Sequence, residues 1–180
     1  MLKSLLFIPQ EVYQDIYRYL FPKEIRFQSV AFIFATIFKT KNSMKFQFKS
    51  WYSIESHEYE YRGREYVELK DEMRQKIIKK AFDIDASIIE LHSHICSRGA
   101  CFSPTDLQGF EEFVPHVWWR LNKKPYAAIV FSKSDFDAFV WLDDPQQYRQ
   151  LSEIVVDGRH LYPTGLTLAN LEGQYEFWAI

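Results

Sequence analysis

Two histidines one residue apart, His92 and His94, close a short apolar run, and Asp106 follows twelve residues after the second. A strand over Ala86 to His94 has a period of two, which throws both imidazoles to one face while Ile89 and Leu91 point to the other. Asp106 ends the stretch Ser103-Pro104-Thr105-Asp106, which reads as a serine N-cap, a proline at the first helical position and an acid at the third. The aspartate therefore falls in the first turn of a helix, where its carboxylate could face back across the loop toward the histidines. Two nitrogens and one oxygen, with a fourth position left to water, are the donor set of a catalytic zinc site, whereas a structural site is closed by four protein ligands. Such an ion lowers the pKa of its water to about 7 and polarises a scissile carbonyl. Two plainer readings stand beside this one. Ser103 and Asp106 alone make an ordinary capping box, and Cys96 with Cys101, spaced C-x4-C, could close a structural zinc site with His92 and His94.

The combined spacing resembles the signature of the JAMM/MPN metalloproteases, in which H-x-H is followed by seven residues, a Ser and, three later, an Asp. Here the loop Ile95 to Phe102 is one residue longer, and Ile95 stands where a Pro often follows the second His; a surface loop absorbs one extra residue at little cost. The family also carries a Glu upstream in the pattern E-x-x-G-x-L-x-G. The nearest match is Gln28-Ser29-Val30-Ala31-Phe32-Ile33-Phe34-Ala35, with Ala31 and Ala35 at the small positions, Ile33 at the aliphatic one, and Gln28 where the general-base Glu belongs. By the resemblance that Glu relays a proton from water to the leaving amine, work worth about 10²–10⁴ in rate that an amide cannot do. Three readings follow: an inactivated form that holds a substrate or complex intact, a natural pseudo-enzyme, or a chain in which Glu24 reaches the water instead. The resemblance further implies that His92, His94 and Asp106 bind Zn2+ and that Ser103 stabilises the oxyanion. Glu90, on the histidine face, could accept a ring N–H from outside the ligand set.

The elements that must position these groups follow from pattern. Val12, Ile16 and Leu20 after Pro9 predict a helix ending before Pro22. Phe27 to Phe38 and Met44 to Ile54 read as a hairpin across Lys41-Asn42-Ser43, and Tyr59 to Leu69 as a third strand interrupted at Gly63. Met73, Ile77 and Ile78 predict a helix over Lys70 to Phe82. The helix starting at Ser103 is expected to break near Pro115, and strands follow at Pro125 to Ser132, Phe136 to Leu142 and Ile154 to Val156. The fold class is α/β, and the resemblance implies an MPN-like α-β-α sandwich around a mixed central sheet. Asp83, Asp85, Asp135 and Asp137 are read as solvated turn acids. His57, His116 and His160 have no partner pattern, and of Trp118 and Trp119 one is expected in the core and one partly exposed.

The bulk numbers bound the partners. A chain of 180 residues with 47% apolar positions suits a single domain spanning 1–180. Its 22 basic and 24 acidic residues nearly cancel, which disfavours nucleic acid and anionic membranes as partners. Two cysteines are too few for a disulfide framework and fit the cytoplasm. Met1 to Pro9 lacks a signal peptide's h-region, and no apolar run approaches the roughly 20 residues of a membrane span. The resemblance, including Phe102 to Leu107, extends to bacterial deconjugases of antiphage operons. It implies a ubiquitin-like protein and its conjugates as substrate, with cognate conjugation enzymes as further partners, and isopeptide or peptide hydrolysis as the reaction. The alternative is a non-catalytic MPN scaffold that binds a partner protein.

Overall fold

The computed structural model describes residues 2–95 and 99–173. Strand β1 (Lys3–Ile8) leads into helix α1 (Gln10–Leu20), followed by the hairpin β2 (Val30–Lys39) and β3 (Ser43–Ser53). A short 3-10 turn precedes β4 (Tyr59–Arg62) and β5 (Val67–Leu69), and helix α2 (Asp71–Asp83) leads to β6 (Ser87–Ser93). Helix α3 (Pro104–Arg120) is followed by β7 (Tyr126–Phe131), β8 (Phe136–Trp141), β9 (Tyr148–Gln150), β10 (Glu153–Val156), β11 (Arg159–Leu161) and α4 (Leu166–Leu171). Nine of these strands form one mixed sheet in the order β11-β10-β1-β3-β2-β6-β7-β8-β9. β1 runs parallel to both β3 and β10, and β6 parallel to β7, while the remaining neighbours are antiparallel.

Strand alternation divides the core in two. Val30, Phe32, Ile88, Val130 and Phe139 face helices α2 and α3, and Ala31, Ile33, Leu91, Ile129 and Val140 share the opposite face with Ile16 and Leu20 of α1. The mixed sheet thus lies between helices on both sides, as an α/β sequence pattern predicts. β6 is central, hydrogen-bonded to β2 and β7, so the histidine-bearing strand is buried at both edges. Among the described residues no helix is long and apolar enough to cross a membrane.

Several expectations need correction, and one strand has no expectation behind it. Tyr59 to Leu69 is not a strand of the main sheet: the chain reverses at Gly63 and β4 pairs with β5 in a separate two-stranded sheet. Strand β1 is the one without an expectation: it lies inside the sheet because residues 5–7 find parallel partners in both β3 and β10. Helix α3 runs through Pro115. Proline costs an interior helix about 3 kcal/mol, but Val114 and Val117 bury in the core beneath the sheet, and the carbonyl left without its N–H belongs to Glu111, which is exposed to water. Lastly, Asp137 is fully buried rather than a solvated turn acid. Asp85, with a left-handed φ of 53°, does occupy a turn. Trp118 is buried and Trp119 exposed, as expected, whereas His160 does have a partner, the buried Glu153.

Candidate metal centre

The sheet register builds the site. Val30 of β2 and Val130 of β7 flank His92 in one cross-strand row, so the imidazole projects from the middle of the sheet toward α3. Just past the end of β6, the His94 N–H donates to the carbonyl of Phe131 at 2.8 Å, which carries the strand direction one residue further. The two imidazoles lie on the same face with ring centroids 4.9 Å apart. From the other side comes the first turn of α3. Ser103 caps it: its hydroxyl accepts the Asp106 N–H at 3.2 Å, and Oδ2 of Asp106 accepts both the N–H and the hydroxyl of Ser103 at 2.7 Å. The reciprocal bonds turn the carboxylate inward, and the same Oδ2 stands 3.5 Å from Nε2 of His92 and 3.3 Å from Nε2 of His94.

One ligand atom from each of His92, His94 and Asp106 therefore lies within 4.8 Å of the others. His92 is 3% exposed, and its buried Nε2 makes no hydrogen bond among the described residues, the Asp106 oxygen at 3.5 Å being its charged neighbour. Buried polar nitrogens are seldom left unpaired, and three ligand atoms at this spacing could hold a metal ion. Electrostatics agree. Burial works against the Asp106 carboxylate, yet His92 and His94 outweigh it and hold the carboxyl well below the usual range. Burial likewise works against protonated His92, but Asp106 outweighs it and the imidazole pKa is raised.

Around this centre the remaining candidates take distinct places. Gln28 precedes β2 by two residues. Beyond the Val30–His92 pair, the Ser93 N–H donates to the carbonyl of Ser29 at 3.0 Å, while the Gln28 N–H donates to the carbonyl of Gly63 at 2.9 Å. Gln28 is 5% exposed, and its amide Nε2 donates to the carbonyl of Arg64 at 3.1 Å. Glu24 is solvent-exposed in the connection between α1 and β2, 3.6 Å from Arg26. Glu90 does not receive a histidine N–H; it accepts the hydroxyl of the fully buried Tyr126 at 2.7 Å. Burial pushes its carboxyl up, against the pull of His92 and the Tyr126 hydroxyl. A cleft of about 320 Å³ beside the triad is lined by Tyr66, Glu68, Arg74, Glu90, His92 and Asp106.

Cys96 lies outside the described residues. Burial and the nearby Asp137, Asp106 and Asp135 push the Cys101 thiol up, away from the thiolate a metal requires. Sequence reasoning missed the buried Asp137 and Thr167, which bear on the loop leading to Ser103; a charged residue inside the otherwise apolar run Phe136–Trp141 was the available signal. The chain matches no protein-family model, and no curated protein matches its sequence.

Proposed function

We propose that this chain is a JAMM-type zinc protein with an MPN-like fold, built to act on the extended C-terminal tail of a ubiquitin-like protein, with Gln28 in place of the proton-relaying acid. The observation that carries this is the convergence of His92, His94 and Asp106, with the buried Nε2 of His92 making no hydrogen bond among the described residues. Ligands around a tetrahedral zinc at about 2.0–2.1 Å stand about 3.3 Å from each other, and the two histidine-to-aspartate separations are 3.3 and 3.5 Å. When bound, zinc supplies Lewis acidity, polarising the scissile carbonyl and acidifying a water.

The chain's own residues do the rest. His92 and His94 hold their nitrogens in place by strand alternation, and Asp106 holds its oxygen through Ser103. The Ser103 hydroxyl, adjacent to that carboxylate, is the fixed donor for a developing oxyanion once it turns from Asp106. The cleft past Tyr66 and Glu68 runs beside β5, whose edge would take an extended tail by main-chain hydrogen bonds. Gln28, two residues before the β2 position that pairs with His92, cannot accept a proton at neutral pH, so the substrate or conjugate is retained rather than released. A cytoplasmic role in bacterial antiphage defence, beside cognate conjugation enzymes, is part of the same proposal.

A second reading, a non-catalytic scaffold, is favoured by the Gln28 amide alone. Metal analysis separates them. The zinc reading predicts one zinc per chain, lost on His92→Ala with the fold retained; a folded chain that takes up no zinc after incubation in excess metal sinks it.

A further inference from the structure

The triad depends on a loop. His94 and Ser103 are separated by eight residues in the chain, and residues 99–102 of that loop are held by segments distant in sequence. The Ala100 N–H donates to Asp135 Oδ1 at 2.8 Å, the Ala100 carbonyl accepts the Thr164 hydroxyl at 2.8 Å, and the Phe102 N–H donates to the Thr167 hydroxyl oxygen at 2.9 Å. A Cβ added at Gly99 would stand 2.8 Å from a methyl of Leu166, so the loop lies directly on the start of α4.

Thr167 is in turn fixed from beneath. It is fully buried, and both its hydroxyl and its N–H donate to Oδ2 of Asp137, at 2.6 and 2.9 Å. The other oxygen of Asp137 takes the Gly165 N–H at 3.2 Å and the Gln150 amide at 3.0 Å. A buried carboxylate is costly unless satisfied by donors of this kind, so Asp137 locks the conformation of residues 165–167. It also stands in the same cross-strand row as the metal centre: His92 pairs with Val130, and Val130 with Asp137. The relay ends on Phe102, fully buried, whose ring centroid lies 5.7 Å from that of His92. Phe102 is thus the wall of the His92 imidazole and, one residue on, the entry to the Ser103 cap.

We propose that Thr167, anchored by Asp137, is a positioning residue for the metal centre: its hydroxyl pins the Phe102 amide and so sets where Asp106 meets His92 and His94. The proposal rests on the metal reading for its consequence, but the pinning itself is independent of any ion.

The test uses the full chain with Thr167→Val, which removes the hydroxyl and keeps the branched shape, and Thr167→Ser, which restores it. Two quantities are read: hydrogen exchange at the Phe102 amide in chelator, and Zn2+ affinity by competition with a chromophoric chelator. Thr167→Val speeds Phe102 exchange by about tenfold or more while the amides of β6 and β7 keep their protection, and weakens Zn2+ binding by about 10- to 100-fold. Thr167→Ser returns both toward the parent chain. Unchanged Phe102 exchange in Thr167→Val overturns the proposal, as does faster exchange with unaltered affinity, or a serine variant as impaired as the valine one. If the parent chain itself binds no Zn2+, the metal reading fails, and the pinning stands or falls on the exchange result alone.

Discussion

Ser103 and Asp106 are joined by three hydrogen bonds, two of which end on the single oxygen, Oδ2, that also faces both histidines. The cap that starts α3 and the arm that would hold a metal are therefore the same carboxylate. One helix start does two jobs, because an acid three residues after an N-cap serine is turned back toward the preceding loop.

Ser103→Ala removes the two bonds made by the hydroxyl and leaves the one from the Ser103 N–H. Loss of such a cap costs about 1 kcal/mol, within a range of about 0.5–2, to be read by urea unfolding in chelator. Zn2+ affinity should fall by about tenfold in parallel, since Asp106 loses an orienting partner. Full stability with full affinity in the alanine variant would show that the backbone alone fixes the carboxylate.

The metal-free protein should have a bell-shaped stability profile set by the triad. Asp106 has a folded pKa depressed below its ordinary 3.8, so its contribution is present above about pH 4 and is lost as pH falls through the folded value. His92 is raised above its ordinary 6.5, so its contribution is complete below about pH 6.5 and is lost as pH rises through the folded value. Thermal midpoints in chelator should therefore decline from about pH 6.5 upward, and His92→Gln should flatten that decline. Zn2+ affinity should run the other way, rising over the same interval, because ligands must lose their protons to bind. A midpoint in chelator that is level from pH 6 to about 9 would contradict the His92–Asp106 coupling.

The histidine strand, the hairpin before it and the capped helix after it could be read from the chain because each rests on local rules: alternation, turn residues and a serine cap. What could not be read rests on distant partners. Lys3–Ile8 gives no sign that β3 and β10 will flank it in parallel. Pro115 breaks a helix by local rules, and only the burial of Val114 and Val117 overrides them. Asp137 resembles a turn acid until Thr167 and Gln150 close on it from far along the sequence. The three triad positions were legible as a set of donors, but the burial of His92 Nε2 without a hydrogen bond among the described residues is a property of packing that no spacing reveals.

Tyr126→Phe probes the floor of the cleft. The phenol is fully buried and donates to Glu90 Oε2 at 2.7 Å, and burial alone already pushes the Glu90 carboxyl up. Removing the donor leaves the half-buried Glu90 short of a partner, at a cost of about 1 kcal/mol. Glu90→Gln in the same background should recover part of that loss, giving a coupling of about 0.5–3 kcal/mol in a double-mutant cycle. A neutral Tyr126→Phe would mean that another group or water satisfies Glu90.

Gln28→Glu sets stability against activity. The Gln28 amide donates to the Arg64 carbonyl, a bond that a carboxylate cannot make, so the variant should lose about 1 kcal/mol of unfolding free energy. If position 28 is where a proton must be relayed, the same variant loaded with zinc should cleave a peptide fused to the tail of a ubiquitin-like protein about 10²–10⁴ times faster than the parent. The gain should vanish on His94→Ala, which removes a metal ligand but leaves residue 28 in place. Cleavage by the parent chain that is abolished by Glu24→Gln would instead assign the relay to Glu24, despite its exposure beside Arg26. A folded, zinc-loaded Gln28→Glu protein with no gain in turnover would remove position 28 from the chemistry and leave the amide as a structural tie between β2 and the β4–β5 turn.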